Sequence, residues 1–512
     1  MTTLGFVEKL YNGKNCYSDH MSSDEISLLH ICSNAETLIA DLLARKKVVF
    51  LTGNPGDGKT FIIKALNENI TACQAYVETD LNNVRDYDAV ARKLIDCYLY
   101  ERPAIVAVNE YPFLQLLRSI KALSPVMHDE IQRVRRSVIA YTISGPLSGR
   151  VAVVDLNERN LLAPDYHLLE SLIDRFINLL QQEPVYPESI KYNLLALSNN
   201  DIKHQLLLLF ELAAAECEHF AVRDILGAIA FMLTAGASED YQGHRYYSTL
   251  FEGSNELLRV IQQYDPIRLT VPELDERLWN GDISDGWRIA IPDKYPRDIS
   301  DVSEAVECFK ELKRRFFFEN ISGAKLMALQ PDEVIGSRNL FVKLESQKKK
   351  TKEALILAMN KLFLPSSKDK GQLRIWTTHR FDMSIDAAVA VSSKSVGAST
   401  LEILAPRTAD WLKGLEFAPD HLVMKPRGAE EPRLTMDVDF LRTLLAVNAG
   451  YPVSLLAPQY EQAVSIFLQQ LDNNGFAEPN EDGETILASR KQSFQRTVFI
   501  QDGKYGFGEE ER

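Results

Sequence analysis

The sequence is poor in the features that would take the chain out of a reducing, aqueous compartment. Its 512 residues include only six cysteines (Cys16, Cys32, Cys73, Cys97, Cys217 and Cys308), scattered without paired spacing. That scatter argues against a zinc centre and against a disulfide framework. No apolar run approaches the roughly 18 residues that a membrane span needs. The opening MTTLGFVEKLYNGKN has no basic region leading into an apolar stretch, so export is not expected. A cytoplasmic protein with no membrane association is the expectation. Positive charge is also short: 57 Lys and Arg stand against 71 Asp and Glu, a formal net charge of -14. A protein grips DNA chiefly by neutralising phosphates, so the surface as a whole repels nucleic acid. Any DNA contact must be local or supplied by a partner. Internal repeats and extended low-complexity segments are absent too.

What is present is an ordinary globular composition, with 46% hydrophobic and 25% charged residues. The length exceeds what one hydrophobic core usually serves, so two to four domains are expected. The most informative stretch is Val48 to Leu66, VVFLTGNPGDGKTFIIKAL, which joins a short buried strand to an amphipathic helix through a glycine-rich turn. Gly53, four residues, then Gly58, Lys59 and Thr60 is the spacing that wraps a phosphate chain. Such wrapping needs backbone amides that all point inward, at angles glycine tolerates and other residues resist. The expected ligand is ATP with Mg2+, held by Gly53, Asn54, Pro55, Gly56, Asp57, Gly58, Lys59, Thr60 and Phe61. Lys59 would place its ammonium between the β- and γ-phosphates, and Thr60 would give its hydroxyl to Mg2+.

Around this turn the pattern alternates between strands and helices. One or two helices over 23–44 lead into a strand at Lys47–Leu51, and Gln74–Glu78 reads as a second strand. Ala104–Glu110, AIVAVNE, is a strongly apolar strand ending in Asn109 and Glu110. The first would hold Mg2+ through water, and the second would polarise the attacking water. An asparagine contributes no negative charge, so metal affinity is expected to be weaker than with aspartate. Arg150–Arg159, RVAVVDLNER, is a fourth strand ending in Asp155. Chain order assigns Glu110 as the base, Asn157 as the γ-phosphate sensor and Asp155 as a metal helper, and the reverse assignment stays open. A helix over 166–180 and a fifth strand at Ile190–Leu197, IKYNLLAL, complete an α/β fold with a parallel five-stranded sheet.

From Asp201 the pattern turns helical, like a lid. Arg223 there is either a nucleotide sensor or half of a solvated pair with Asp224. Gly236–Gly253 reads as a tyrosine-rich surface loop. Lys313, Arg314 and Arg315 read as solvated charges ahead of three core phenylalanines. The clearest basic cluster, KKKTK at 348–352 and KDKGQLR at 368–374, reads as a flexible region opening an α+β domain. Four segments are expected: a helical lead (1–40), the ATPase core (41–200), the lid and its extension (201–330) and the α+β domain (331–512). No acid cluster with a nearby lysine at nuclease spacing stands in the carboxyl-terminal half.

GNPGDGKT, AIVAVNEY, VVDLNERN and FAVRDILG together resemble an ATPase of the AAA+ type, in the order Walker A, Walker B, sensor 1 and sensor 2. More narrowly, LTGNPGDGKT, the Asn-Glu strand, DLNER, YYSTLFEG and the later YDP are similar to the DNA phosphorothioation-dependent restriction ATPase family of bacterial anti-phage systems. The resemblance implies an AAA+-like sheet with a helical lid and a nucleotide-driven subunit that works with protein partners to restrict DNA, not a self-sufficient nuclease. It also raises a homo-oligomer in which Arg133, Arg135, Arg136 or Arg175 completes a neighbour's site. A scaffold that binds ATP with little turnover is the alternative.

Overall fold

Three short apolar runs and the half-buried edge strand YVE build the sheet on which the amino-terminal half is assembled. They are β1 (Val48–Thr52), β2 (Tyr76–Glu78), β3 (Ala104–Ala107) and β4 (Val151–Asp155), in the order β2-β3-β1-β4 and all parallel. The computed structural model describes residues 3–11, 21–139, 147, 149–163, 165, 167–182, 186–214, 219–235, 243–330, 332–380, 388–480, 483–489, 494–501 and 504–507. Cys16, Tyr166, Pro184, Cys217 and the first part of the Gly236–Gly253 stretch lie outside the described residues.

Successive residues of a strand face opposite sides of a sheet, and both sides here are covered. Val48, Phe50, Val106 and Val153 pack against α6 (Tyr87–Leu99), α7 (Glu110–Leu123) and α8 (Pro125–Ile139) through Leu94, Phe113, Leu116 and Ile131. Val49, Leu51, Ile105 and Val154 pack the other way, against Ile39 and Leu42 of α3 (Asn34–Ala44) and Ile62 and Ile63 of α4 (Lys59–Ala65). Burial on both faces is why these strands read as unbroken apolar runs and not as alternating ones. Local signals set where the helices begin: Ser33 accepts from Glu36 N ahead of α3, and Asp86 accepts from Ala89 N ahead of α6.

Among the described residues the sheet has four strands, not five. Glu188–Leu197 is helical, with Ile190, Asn193, Leu194 and Leu197 buried at steps of three, one and three residues. That is the period of one helix face, and Asn193 fixes it by donating to Leu233 O (2.9 Å) and accepting from Tyr246 N (2.8 Å). With α1 (Thr3–Tyr11), α2 (Ser23–Leu29), α5 (Asn67–Cys73) and α9 (Leu168–Leu180) also numbered, this helix is α10. It packs with α9, α11 (Asn200–Ala214) and α12 (Val222–Thr234) in one large helical core.

Two further expectations change in that core. Tyr246 and Tyr247 are not on a surface loop: Tyr246 is fully buried, packs edge-on to Phe318 and donates to Glu319. Nor are Lys313, Arg314 and Arg315 solvated. All three are buried and each meets an acid: Lys313 meets Asp275 at 2.6 Å, Arg314 meets Asp265 at 2.7 Å and Arg315 meets Glu319 at 2.7 Å. Charges can be buried here because each is paired and hydrogen-bonded.

The chain divides into two compact units. One is Met1–Leu329 together with Arg407–Ala418, and the other is Gln330–Pro406 together with Pro419–Arg512. In the second, β5 (Gln372–Arg380) and β6 (Ala388–Gly397) form an antiparallel pair. β10 (Glu478–Pro479) and β11 (Thr485–Ser489) also pair with β6, and β12 (Phe494–Gln501) and β13 (Lys504–Phe507) extend the sheet from β11. A smaller antiparallel sheet holds β7 (Leu401–Leu404), β8 (Leu422–Pro426) and β9 (Leu434–Met436). The KKKTK run is not a flexible region: it lies within a twenty-residue helix, Leu344–Phe363, whose Leu355, Ile356, Met359 and Phe363 are buried in this unit's core. Apolar residues further along the same helix hold the lysines in helical register.

Candidate functional site

The loop between β1 and α4 has the backbone that its glycines suggest. Gly53, Gly56 and Gly58 take φ values of +145°, +104° and +84°, a region where side chains are strained. Space is tight as well: a Cβ on Gly53 would lie 2.6 Å from Asp57 Oδ2, and one on Gly56 would lie 3.2 Å from Ala221 Cβ. Asp57 holds the loop from within. It is 2% exposed, accepts from Asn54 N through Oδ2, and meets His219 Nε2 at 2.7 Å through Oδ1. Lys59 donates to Gly53 O and Asn54 O, both at 2.8 Å. Burial lowers its pKa, against the opposing charges of Asp57 and Asp155. An anion on the loop would relieve that desolvated ammonium.

Because β3 and β4 both adjoin β1, the two polar strand ends flank the loop on opposite sides. On the β3 side, Asn109 stands ahead of α7, and its Oδ1 is buried without a hydrogen-bond partner. Glu110, the first residue of α7, is 64% exposed at its side chain and pairs with Arg135 of α8. On the β4 side, Asp155 accepts from Asn157 N at 3.1 Å, and Asn157 Oδ1 accepts from Asn54 N at 3.2 Å. Burial raises the pKa of Asp155, with the like charges of Asp57 and Glu110 adding to the rise.

Helix α12 meets the loop directly. Arg223 N donates to Gly56 O at 3.2 Å, and the half-buried Arg223 guanidinium lies beside Gly56. A cavity of about 220 Å3 brings together Gly56, Gly58, Lys59, Thr60, Asn109 and Arg223, with Pro55 and Phe61 also on its wall. Glu110, Asp155 and Asn157 lie outside it. Ligand pockets commonly run to about 300–1,000 Å3, and this cavity lies below that range. Sequence reasoning missed two features. Asp80, the one carboxylate on the cavity wall, caps the turn after β2 by accepting from Asn82 N at 2.9 Å. His219 lies 162 residues from the aspartate that it holds, and no local pattern marks that pairing. Of the arginines considered for a neighbour's site, Arg175 is committed elsewhere, donating to Leu28 O (2.7 Å) and Ser27 O (2.9 Å).

The residues present fit a magnesium-bound nucleotide. Three glycines leave the backbone open, and an unpartnered Asn109 carbonyl oxygen shares the cavity with the Thr60 hydroxyl. Among the described residues no cluster of three His, Cys, Asp or Glu side chains could hold a metal on its own; Mg2+ bound through phosphates and water needs only one or two protein ligands.

The Asp57–His219 pair carries a pH prediction. Burial opposes protonation of His219, but the hydrogen bond and charge of Asp57 outweigh it, so its pKa lies above the ordinary 6.5. The stabilisation it brings is complete below the unfolded-chain value and is lost as pH rises through the raised folded value. Thermal unfolding of wild type and His219→Gln should therefore differ most below pH 6.5 and converge well above it.

Comparison with protein-family models, with curated proteins and with solved structures returned no match. Among the described residues no helix is long and apolar enough to cross a membrane. Function is therefore argued from the site itself.

Proposed function

We propose that the first unit binds ATP with Mg2+ on Gly53–Phe61 and hydrolyses it, as the nucleotide-driven subunit of a bacterial DNA restriction or anti-phage defence complex. The observation that carries the nucleotide reading is the loop: three left-handed glycines running from a central parallel strand into Lys59 and Thr60, with Arg223 and Asn109 sharing the same cavity. The defence assignment rests on the sequence resemblance alone, and it brings protein partners and DNA with it.

In this reading Lys59 leaves its loop carbonyls for the phosphates, while Thr60 and the carbonyl oxygen of Asn109 hold Mg2+, directly or through water. The bound ion would neutralise charge on the phosphate oxygens. Glu110 orients water once Arg135 releases it, and Asp155, whose proton affinity burial raises, is the other candidate base. Asn157 and Arg223 report the γ-phosphate from opposite sides of the loop.

Titrating the intact chain with a fluorescent ATP analogue in Mg2+ tests this, with a Kd on the order of micromolar expected for a working site. No affinity for any purine triphosphate would remove the reading. Asn109, where a carboxylate is usual, and the Glu110–Arg135 pair favour a second reading, a nucleotide-gated scaffold with little turnover. Tight binding without phosphate release, with release gained in Asn109→Asp, would select it.

A further inference from the structure

The cations that the nucleotide site does not use converge in the second unit. Lys348, Lys349 and Lys352 come from the helix Leu344–Phe363, Lys370 from the turn before β5, and Arg427 from the end of β8. Together they line a concavity of about 780 Å3, in which Glu353 and Glu402 are the acidic side chains among the described residues. In a chain with net charge -14, three separate segments bring five cations to one place.

Internal pairing does not account for this crowd. Lys348 reaches Glu345 at 3.4 Å and Lys349 reaches Glu353 at 3.9 Å, long surface pairs that contribute little. Glu402 is shared with Lys425 at 3.6 Å. Lys370 and Arg427 form no ion pair among the described residues. Lys352 builds the wall, donating to Ala398 O and Leu401 O at 2.5 and 3.0 Å. Burial lowers its pKa, and the neighbouring Arg427 and Lys348 lower it further. The site lacks counter-charge, and an anion would supply it.

The lining also says which anion. Among the described residues no aromatic side chain stands in the concavity, and the described lining therefore offers no platform for stacking the bases of a single strand. Flexible ammonium groups and one guanidinium contact phosphates without reading sequence. We propose that this concavity holds the phosphate backbone of duplex DNA. The proposal deepens the DNA part of the reading above, yet it stands on residues remote in sequence from the nucleotide loop, so either can fail alone.

The test is fluorescence anisotropy of the intact chain with a labelled DNA duplex of mixed sequence, in about 50 and 200 mM salt. Neutralising four phosphates predicts a loss of affinity of roughly 100-fold between the two. The triple variant Lys349→Gln, Lys370→Gln, Arg427→Gln removes three exposed charges and spares the wall-building Lys352. It should bind DNA at least about tenfold more weakly, with a salt slope reduced by about 0.9 for each phosphate no longer neutralised. Its thermal unfolding should match wild type, which reports that it is folded whether or not the nucleotide reading holds. Duplex affinity and slope unchanged in the triple variant would overturn the proposal. So would binding of inorganic tripolyphosphate that disappears in the variant while the duplex does not bind wild type at all, because the site would then belong to a free polyphosphate.

Discussion

Replacing Lys59 with alanine should lower ATP hydrolysis by about 100- to 1,000-fold, the usual consequence of removing one preorganised charge from a transition state. The protein should stay folded. Lys59 Nζ bonds only to Gly53 O and Asn54 O within its own loop, and burial already disfavours its charged form. Removing it takes away a desolvated cation and leaves two carbonyls that water can reach. Lys59→Arg keeps the charge but replaces a compact ammonium with a planar fork, so it should recover binding better than turnover. Phosphate release, ATP-analogue titration and thermal unfolding separate these effects. Unchanged turnover in Lys59→Ala would sink the catalytic proposal, and a variant that loses turnover because it unfolds would be exposed by the melting curve.

The loop was legible in the sequence because glycine spacing is a local signal: each residue constrains the backbone where it stands. Three of the parallel strands, β1, β3 and β4, were legible for a similar reason, since strands covered on both faces must be apolar throughout. IKYNLLAL was misread because a short apolar run looks alike in a buried strand and a buried helix; only the spacing of Ile190, Leu194 and Leu197 tells them apart. The buried charges of Lys313, Arg314 and Arg315 were unreadable in principle. Their partners Asp275, Asp265 and Glu319 lie four to 49 residues away, and sequence does not say which acids meet which bases. The same holds for Asp57 with His219, and for the cavity that gathers Asn109 but leaves Glu110 outside. Chain order alone does not rank the two polar strand ends, because β3 and β4 both lie beside β1.

Least legible was the return of Arg407–Ala418 to the first unit, and it carries the largest expected effect on stability. Leu412 and Leu415 of this segment join the core beneath β1 and β4, and Glu416 is fully buried. Its Oε2 accepts from Arg159 Nε at 2.8 Å, and its Oε1 accepts from Asn34 N at 2.7 Å, at the start of α3. Its backbone oxygen accepts from Asn160 N at 2.8 Å. Glu416→Ala would leave the 5%-exposed Arg159 without a counter-charge, and breaking a buried pair from one side costs about 3–5 kcal/mol. The double variant Arg159→Met, Glu416→Leu removes both charges at similar volume and should cost far less, about 1 kcal/mol for the hydrogen bond lost from Asn34 N. Urea unfolding of Arg159→Met, of Glu416→Leu and of the double would show this non-additivity; additive losses would mean that the pair is not coupled. A functional effect should accompany the loss, because Arg159 closes the turn in which Asn157 holds Asn54 of the loop. Under conditions where Glu416→Ala remains folded, its ATP affinity should fall while the double variant keeps most of it, since what the loop requires of this turn is its position and not its charge.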